Sequence, residues 1–322
     1  MDELIRVEHL CRDYGDQRAV VDLSFRLHRG EILGLLGPNG AGKTSTLQMI
    51  TGNLAPSAGR IVVAGHDLLD RPRKAKRNIG YLPETPPLHN DMPVAGFLRY
   101  CARLHEIPRR RCHRAVSSAM ERCGLADAGD RLIGNLSKGY RQRVGIAQAI
   151  VHEPDVVVLD EPTVGLDPIQ IREIRQLIRD LGKDRGVILS THILPEVQAT
   201  CNRVQIIHNG SLILSKGTDQ INDRLAASTL VARFNRAPDT LTLSTLPGIS
   251  GVEQFGDNRY RLLFDPDHHP GEAVVKAAAA NDWGLYELYP ERRTLEQMFL
   301  RLTGADLSDE VTPVADRRSH PR

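Results

Sequence analysis

Nowhere does this 322-residue chain reach the ~20 consecutive apolar residues that a membrane-crossing helix requires. Its first residues, Met1-Asp2-Glu3-Leu4-Ile5-Arg6, lack the basic start and apolar core of a secretory signal. Charge of one sign is also missing: the formal net charge is +2, which leaves no global basic field, and nucleic acid is not expected as a partner. Cysteines stand only at 11, 101, 112, 123 and 201, with no CxxC pair among them. They cannot all pair internally, so reduced thiols in a cytosolic protein are expected and structural zinc is not. What the chain has is 41% hydrophobic and 25% charged content, enough for one large core and a smaller one.

The residues that carry chemistry begin with Gly37-Pro38-Asn39-Gly40-Ala41-Gly42-Lys43-Thr44, a complete phosphate-binding loop. It follows the apolar run Glu31-Ile32-Leu33-Gly34-Leu35-Leu36 and opens the helical stretch Ser45-Thr46-Leu47-Gln48-Met49-Ile50. That context favours a triphosphate site over a glycine-rich turn that matches by chance. Glycines 37, 40 and 42 let backbone N–H groups face the phosphates, Lys43 brings a point charge, and the Thr44 hydroxyl can ligate magnesium. Farther on, Val156-Val157-Val158-Leu159-Asp160-Glu161-Pro162 reads as a strand buried on both faces, with two acids at its C-terminal end. Asp160 is expected to hold magnesium, directly or through water, and Glu161 to polarise the attacking water. The bland alternative is an ordinary acidic turn, and the phosphate loop upstream argues against it.

With these motifs in order, residues 1–217 resemble the nucleotide-binding subunit of an ATP-binding cassette transporter. The resemblance places Tyr14 against adenine and adds Ser45 to the loop residues that hold the nucleotide. It makes Leu136-Ser137-Lys138-Gly139-Tyr140 the family signature and Val164-Gly165-Leu166-Asp167-Pro168 the D-loop, with Asp167 counted as nucleotide-binding. His192, after Ser190-Thr191, stands at the switch position that acts on the γ-phosphate. In this family Ser137 and Gly139 face the ATP of a second subunit, which implies a head-to-tail homodimer. Two departures narrow the reading. Lys138 and Tyr140 replace the second glycine and the glutamine of the signature, and Glu84 stands where the family has its Q-loop glutamine. An acid can reach magnesium through water but cannot donate a hydrogen bond as an amide does. Both departures resemble the ATPases that drive ABC-2 type membrane proteins, including the gliding-motility-like group.

The expected fold class is α/β: a P-loop NTPase core with a parallel sheet, an antiparallel β subdomain and a helical insertion over about 85–150, then a small α+β C-terminal domain. The boundaries are 1–217 for the ATP-binding domain, 218–304 for the accessory domain and 305–322 for a polar, disordered tail. Residues 4–30 alternate as antiparallel strands, with Tyr14 expected in a loop. Val94 to Leu104 and Arg109 to Cys123, separated by Pro108, are the helices of the insertion, the part that the family uses to touch its membrane partner. In the accessory domain, 228–234, 241–246 and 258–264 have strand-like content, Glu272 to Ala280 is helical, and Thr294-Leu295-Glu296-Gln297 opens a capped helix. The basic run Arg71, Arg73, Lys74, Lys76 and Arg77 and the pair His268-His269 read as solvated surface and polar turn. The function implied is an ATPase that couples ATP and magnesium to a separate ABC-2 type permease, for export, from the cytoplasmic face of the membrane. Its catalytic residues are Lys43, Glu161 and His192, and its metal residues Thr44, Glu84 and Asp160. The competing function is a soluble cassette ATPase acting on ribosomes or DNA. One cassette without coiled-coil or zinc-hook insertions favours transport.

Overall fold

A computed structural model describes residues 2–218, 229–264, 268 and 270–291. The chain divides into two compact units, Met1–Asp219 and Gln220–Arg322.

The first unit is built on two sheets. Strands β1 (Glu3–Tyr14) and β2 (Gln17–His28) form an antiparallel hairpin, and β1 also pairs with β4 (Ala58–Val63), which carries β5 (His66–Asp67). Period-two alternation drives this sheet, since Val20, Leu23, Phe25 and Leu27 turn into the core while their neighbours face out. Tyr14 does not lie in a loop as expected; it is the last residue of β1, paired with Gln17 across the hairpin turn. Alternation fades there, so the end of the strand is set by the register of its partner rather than by its own pattern.

The second sheet has the order β10-β9-β3-β8-β7-β6. Its strands are β3 (Ile32–Leu36), β6 (Ile79–Leu82), β7 (Val156–Asp160), β8 (Gly186–Thr191), β9 (Arg203–His208) and β10 (Ser211–Gly217). The first five run parallel and β10 returns antiparallel to β9. Every residue of β3, β7 and β8 is buried, because helices cover both faces of a parallel sheet. Helices α1 (Lys43–Ile50), α6 (Pro168–Gly182) and α7 (Leu194–Thr200) belong to this core, and α2 (Pro72–Lys76) turns the basic run into one short helix with Ala75 buried.

Helices α3 (Val94–Leu104), α4 (Arg109–Arg122) and α5 (Lys138–Ile150) form the insertion. In α3 the buried residues Val94, Phe97, Leu98, Cys101 and Ala102 follow helical spacing, and in α4 Cys112, Val116, Ala119 and Met120 do the same. Pro108 caps α4, which explains why the two helices break where they do. All five cysteines are free. Among the described residues no helix is long and apolar enough to cross a membrane.

The second unit runs β11 (Thr229–Phe234), α8 (Thr240–Ser244), β12 (Ile249–Gly256), β13 (Arg259–Phe264), α9 (Gly271–Ala280), β14 (Leu285–Pro290), with its antiparallel sheet in the order β12-β13-β11-β14. Residues 241–246, expected as a strand, begin instead in α8. Asp239 caps that helix by accepting from Thr242 N–H at 2.6 Å, and Leu243 plugs into the core beside Phe234 and Tyr260. A local cap and one buried leucine outweigh the β-preference of threonine. Strands β12 and β14 were not foreseen, since most of their side chains are exposed or half-buried and give no apolar rhythm. The helix expected from Thr294, the tail from Ala305 and most of the His268-His269 turn lie outside the described residues; His268 itself is exposed.

Candidate nucleotide site

Parallel sheets place the C-terminal ends of their strands at one edge, and three neighbouring strands, β3, β8 and β7, lead there into the candidate site residues. The loop 37–42 leaves β3 and enters α1. Its backbone must pass close to other chain segments: a Cβ on Gly37 would sit 2.3 Å from the Ile207 carbonyl, and one on Gly42, at φ 100°, 2.4 Å from the Ala19 carbonyl. Only glycine fits either place.

Lys43 is the first residue of α1 and is 6% exposed. Its ammonium donates to the carbonyls of Gly37 at 2.7 Å and Pro38 at 3.2 Å, and lies 3.7 Å from Glu161 Oε1. Burial pulls its pKa below the ordinary lysine value, against the opposing charges of Glu161, Asp160 and Glu84. Phosphate oxygens would add to the negative charge that Glu161 already sets against this buried cation.

Asp160 ends β7 fully buried and accepts from Ser190 Oγ at 2.5 Å. Glu161 follows with φ 46°, a left-handed turn that aims its side chain back over the loop. Its backbone N–H donates to Ser190 Oγ at 3.1 Å and to the Ser190 carbonyl at 3.2 Å. Its Oε1 is 3.0 Å from His192 Nδ1, while its Oε2 is buried without a partner. A half-satisfied carboxylate held by a histidine, beside a buried lysine, is suited to polarise a water.

A pocket of about 380 Å³ brings together Asn39, Gly40, Ala41, Gly42, Lys43, Thr44, Ser45, Glu84, Glu161 and His192. Gly37 and Pro38 serve it from beneath through Lys43. Tyr14 stands next to α1, its hydroxyl 3.5 Å from Ser45 Oγ and its ring under the Arg12 guanidinium, and it keeps 45% of its surface open to stack on a base. Asp160, buried at the end of β7, does not line the pocket, and neither do Ser137, Gly139 and Asp167. Ser137 caps α5 by accepting from Tyr140 N–H at 3.4 Å, Gly139 lies against Gln170, and Asp167 caps α6 by accepting from Ile169 and Gln170 N–H at 3.0 and 2.9 Å.

The donor set fits magnesium. Thr44, Asp160 and Glu84 offer hard oxygens, and the ion binds through one or two carboxylates with phosphates completing its shell. Among the described residues there is no group of three or more His, Cys, Asp or Glu arranged for a metal.

Residues that sequence reasoning passed over complete the frame. Glu196, 1% exposed, accepts from Thr163 Oγ1 at 2.6 Å and from Thr191 Oγ1 at 2.9 Å, and Arg175 stands 3.7 Å away. It ties the segment after Glu161 to the segment before His192. In sequence it is one acid in a short helix. Ser190, which binds both members of the acid pair, was visible only as the residue two before the switch histidine.

The strand-loop-helix phosphate cradle, with a carboxylate pair and a histidine on the adjoining strands, defines a P-loop ATPase. The chain belongs to the ATP-binding subunits of ABC transporters. The ABC transporter family model matches residues 20–164. An uncharacterised ABC transporter ATP-binding protein, YxlF of Bacillus subtilis (strain 168), is 32% identical over 303 residues, 94% of this chain and 100% of that protein. The Nod factor export ATP-binding protein I of Cupriavidus pinatubonensis is 30% identical over 307 residues, covering 95% and 92%. A solved ATP-binding subunit of an ABC transporter superposes with a TM-score of 0.62 at 32% identity, over 69% of this chain and 92% of that one. The chain is thus an ATPase of this family, which works with membrane permease components. The comparisons favour transport over a ribosomal or DNA-directed role.

Proposed function

We propose that this chain hydrolyses ATP to drive export through a separate ABC-2 type permease, acting as one of a pair of identical subunits on the cytoplasmic face of the membrane. The observation that carries the chemistry is the convergence of Lys43, Glu84, Glu161 and His192 on one pocket at the C-terminal edge of the parallel sheet. Likeness over nearly the whole length to a protein named for Nod factor export supports the direction of transport.

Lys43 and the loop amides bind the β- and γ-phosphates, Tyr14 stacks on the base, and Glu161 takes the proton of the attacking water while His192 holds it in place. Magnesium at Thr44, Asp160 and Glu84 would neutralise charge that develops on the phosphates. Ser137 and Gly139, which open α5 away from the pocket, are free to meet the ATP of a partner, as a head-to-tail pair requires. Residues 1–217 form the ATP-binding domain and 218–304 the accessory domain in this reading.

The test is Glu161→Gln. ATP affinity is expected to hold within about two-fold, and turnover to fall at least ~100-fold, because the amide cannot accept the water proton. Lys43→Ala is expected to lose ATP binding itself. Turnover at the wild-type rate in Glu161→Gln would remove this residue from its role.

A further inference from the structure

Away from the nucleotide pocket, the insertion and the core enclose a second cleft of about 870 Å³. One wall is α4. Arg111, Arg114, Ser118 and Arg122 recur at intervals of three to four residues, so they share one side of the helix, next to the apolar stripe that packs inward. Arg77, from the turn after α2, closes the cleft opposite.

Two glutamates also line it, but they do not neutralise it. Glu106 is held by Arg77, and Glu153 is set against the buried Arg185. The guanidinium groups of Arg111, Arg114 and Arg122 have no hydrogen bond, ion pair or ring contact among the described residues. Arg185 lies nearby: it is 8% exposed, its Nη1 has no hydrogen-bond partner, and it is within electrostatic reach of Arg122 and His152 as well as of the acids Glu153, Asp184 and Asp155. At the base, the rings of His105 and His152 stack 3.6 Å apart and 3° from parallel. Burial holds both pKa values down, His152 to about 4, so at neutral pH the cleft's positive charge comes from arginine alone.

Unpaired cations on a flexible exterior are ordinary. Three along one helix face, exposed at the wall of a cleft that also holds Arg77 and only two glutamates, leave an excess of positive charge and form a receptor for concentrated negative charge. Phosphate suits it better than an acidic peptide does. Neighbouring forks on one helix turn can engage the several oxygens of one phosphate group, whereas carboxylates along a peptide are single charges spread over many ångströms. We propose that this cleft is a second anion site, distinct from the phosphate loop, which takes a phosphate-bearing ligand on Arg111, Arg114 and Arg122. Free polyphosphates and phospholipid headgroups share that chemistry. The site stands apart from the nucleotide chemistry, so its failure would leave the ATPase reading untouched.

The experiment uses the full chain with the phosphate loop filled by ADP and magnesium. Pyrophosphate is titrated by calorimetry, and flotation is measured with phosphatidylglycerol vesicles against phosphatidylcholine vesicles. In Arg111→Gln/Arg114→Gln/Arg122→Gln the affinity for the probe that binds is expected to fall at least about ten-fold, with basal ATPase unchanged. The single change Arg111→Glu, at an exposed position, is expected to act in the same direction without burdening the fold. Arginine-dependent pyrophosphate binding without flotation assigns a soluble ligand. Arginine-dependent flotation that pyrophosphate competes away assigns a headgroup. Equal affinity of wild type and both variants for both probes overturns the proposal, and so does a glutamate-rich decapeptide that binds the same arginines more tightly than pyrophosphate.

Discussion

Glu161 sits on a left-handed backbone, and its neighbours hold it there. The left-handed φ of 46° is maintained by two hydrogen bonds from its N–H to Ser190, whose hydroxyl also grips Asp160. Glu196 is held in a similar way, since both its oxygens accept from buried threonine hydroxyls, one just after Glu161 and one just before His192. Glu196→Ala strands those hydroxyls and removes the counter-charge of Arg175. A loss of about 2–4 kcal/mol is expected from urea unfolding. The kinetic signature separates positioning from bulk damage: kcat should fall several-fold through displacement of Glu161 and His192, while ATP affinity, set by the loop, should change little. An ATP affinity that collapses together with kcat would show that Glu196 supports the whole site rather than its catalytic edge.

At the scale of elements, the stacked His105 and His152 lock the end of α3 to the segment after α5. His152 Nε2 meets the Ile79 carbonyl at 3.0 Å, which also ties that segment to β6. Burial, then repulsion from His105 and Arg185, lowers the His152 pKa from 6.5 to about 4. Because the folded value lies below the unfolded one, the unfolded chain holds the extra proton between pH 6.5 and about 4. Stability from this residue is therefore complete above pH 6.5 and is lost as pH falls through that window, by up to about 3 kcal/mol. Urea unfolding at pH 7 and pH 5 should give a steeper acid loss for wild type than for His152→Gln. Equal slopes would mean that the pair does not couple folding to protons.

Two predictions belong to the whole molecule. If Ser137 and Gly139 complete a partner's site, Glu161→Gln protein with ATP and magnesium should run as a dimer in light scattering, and nucleotide-free protein as a monomer. A monomer at high concentration with ATP would count against the head-to-tail pair. Glu84 lies after β6, where the core passes into the insertion, and it lines the nucleotide pocket. Glu84→Ala should then weaken stimulation of ATPase activity by the reconstituted permease more than it weakens ATP binding. Equal stimulation in both proteins would leave Glu84 as a loop acid.

Sequence by itself determined the motifs that are local. The phosphate loop needs glycines, a lysine and a threonine in one short run, the acid pair needs only a buried strand before it, and α3 and α4 are delimited by helical periodicity and Pro108. These features depend on backbone conformation and burial within a few residues, so pattern reveals them. The tertiary structure decided what depends on convergence. It put Tyr14 at a strand end, made 240–244 helical through one cap and one buried leucine, and paired the exposed strands β12 and β14 whose rhythm is hidden. It also joined Ser190 to the acids, Glu196 to two threonines, and Arg77, α4 and Glu153 around one cleft. Side chains so far apart in sequence meet only because the order of strands in the sheet brings their loops together at one edge of it or the other, and no local pattern encodes that order.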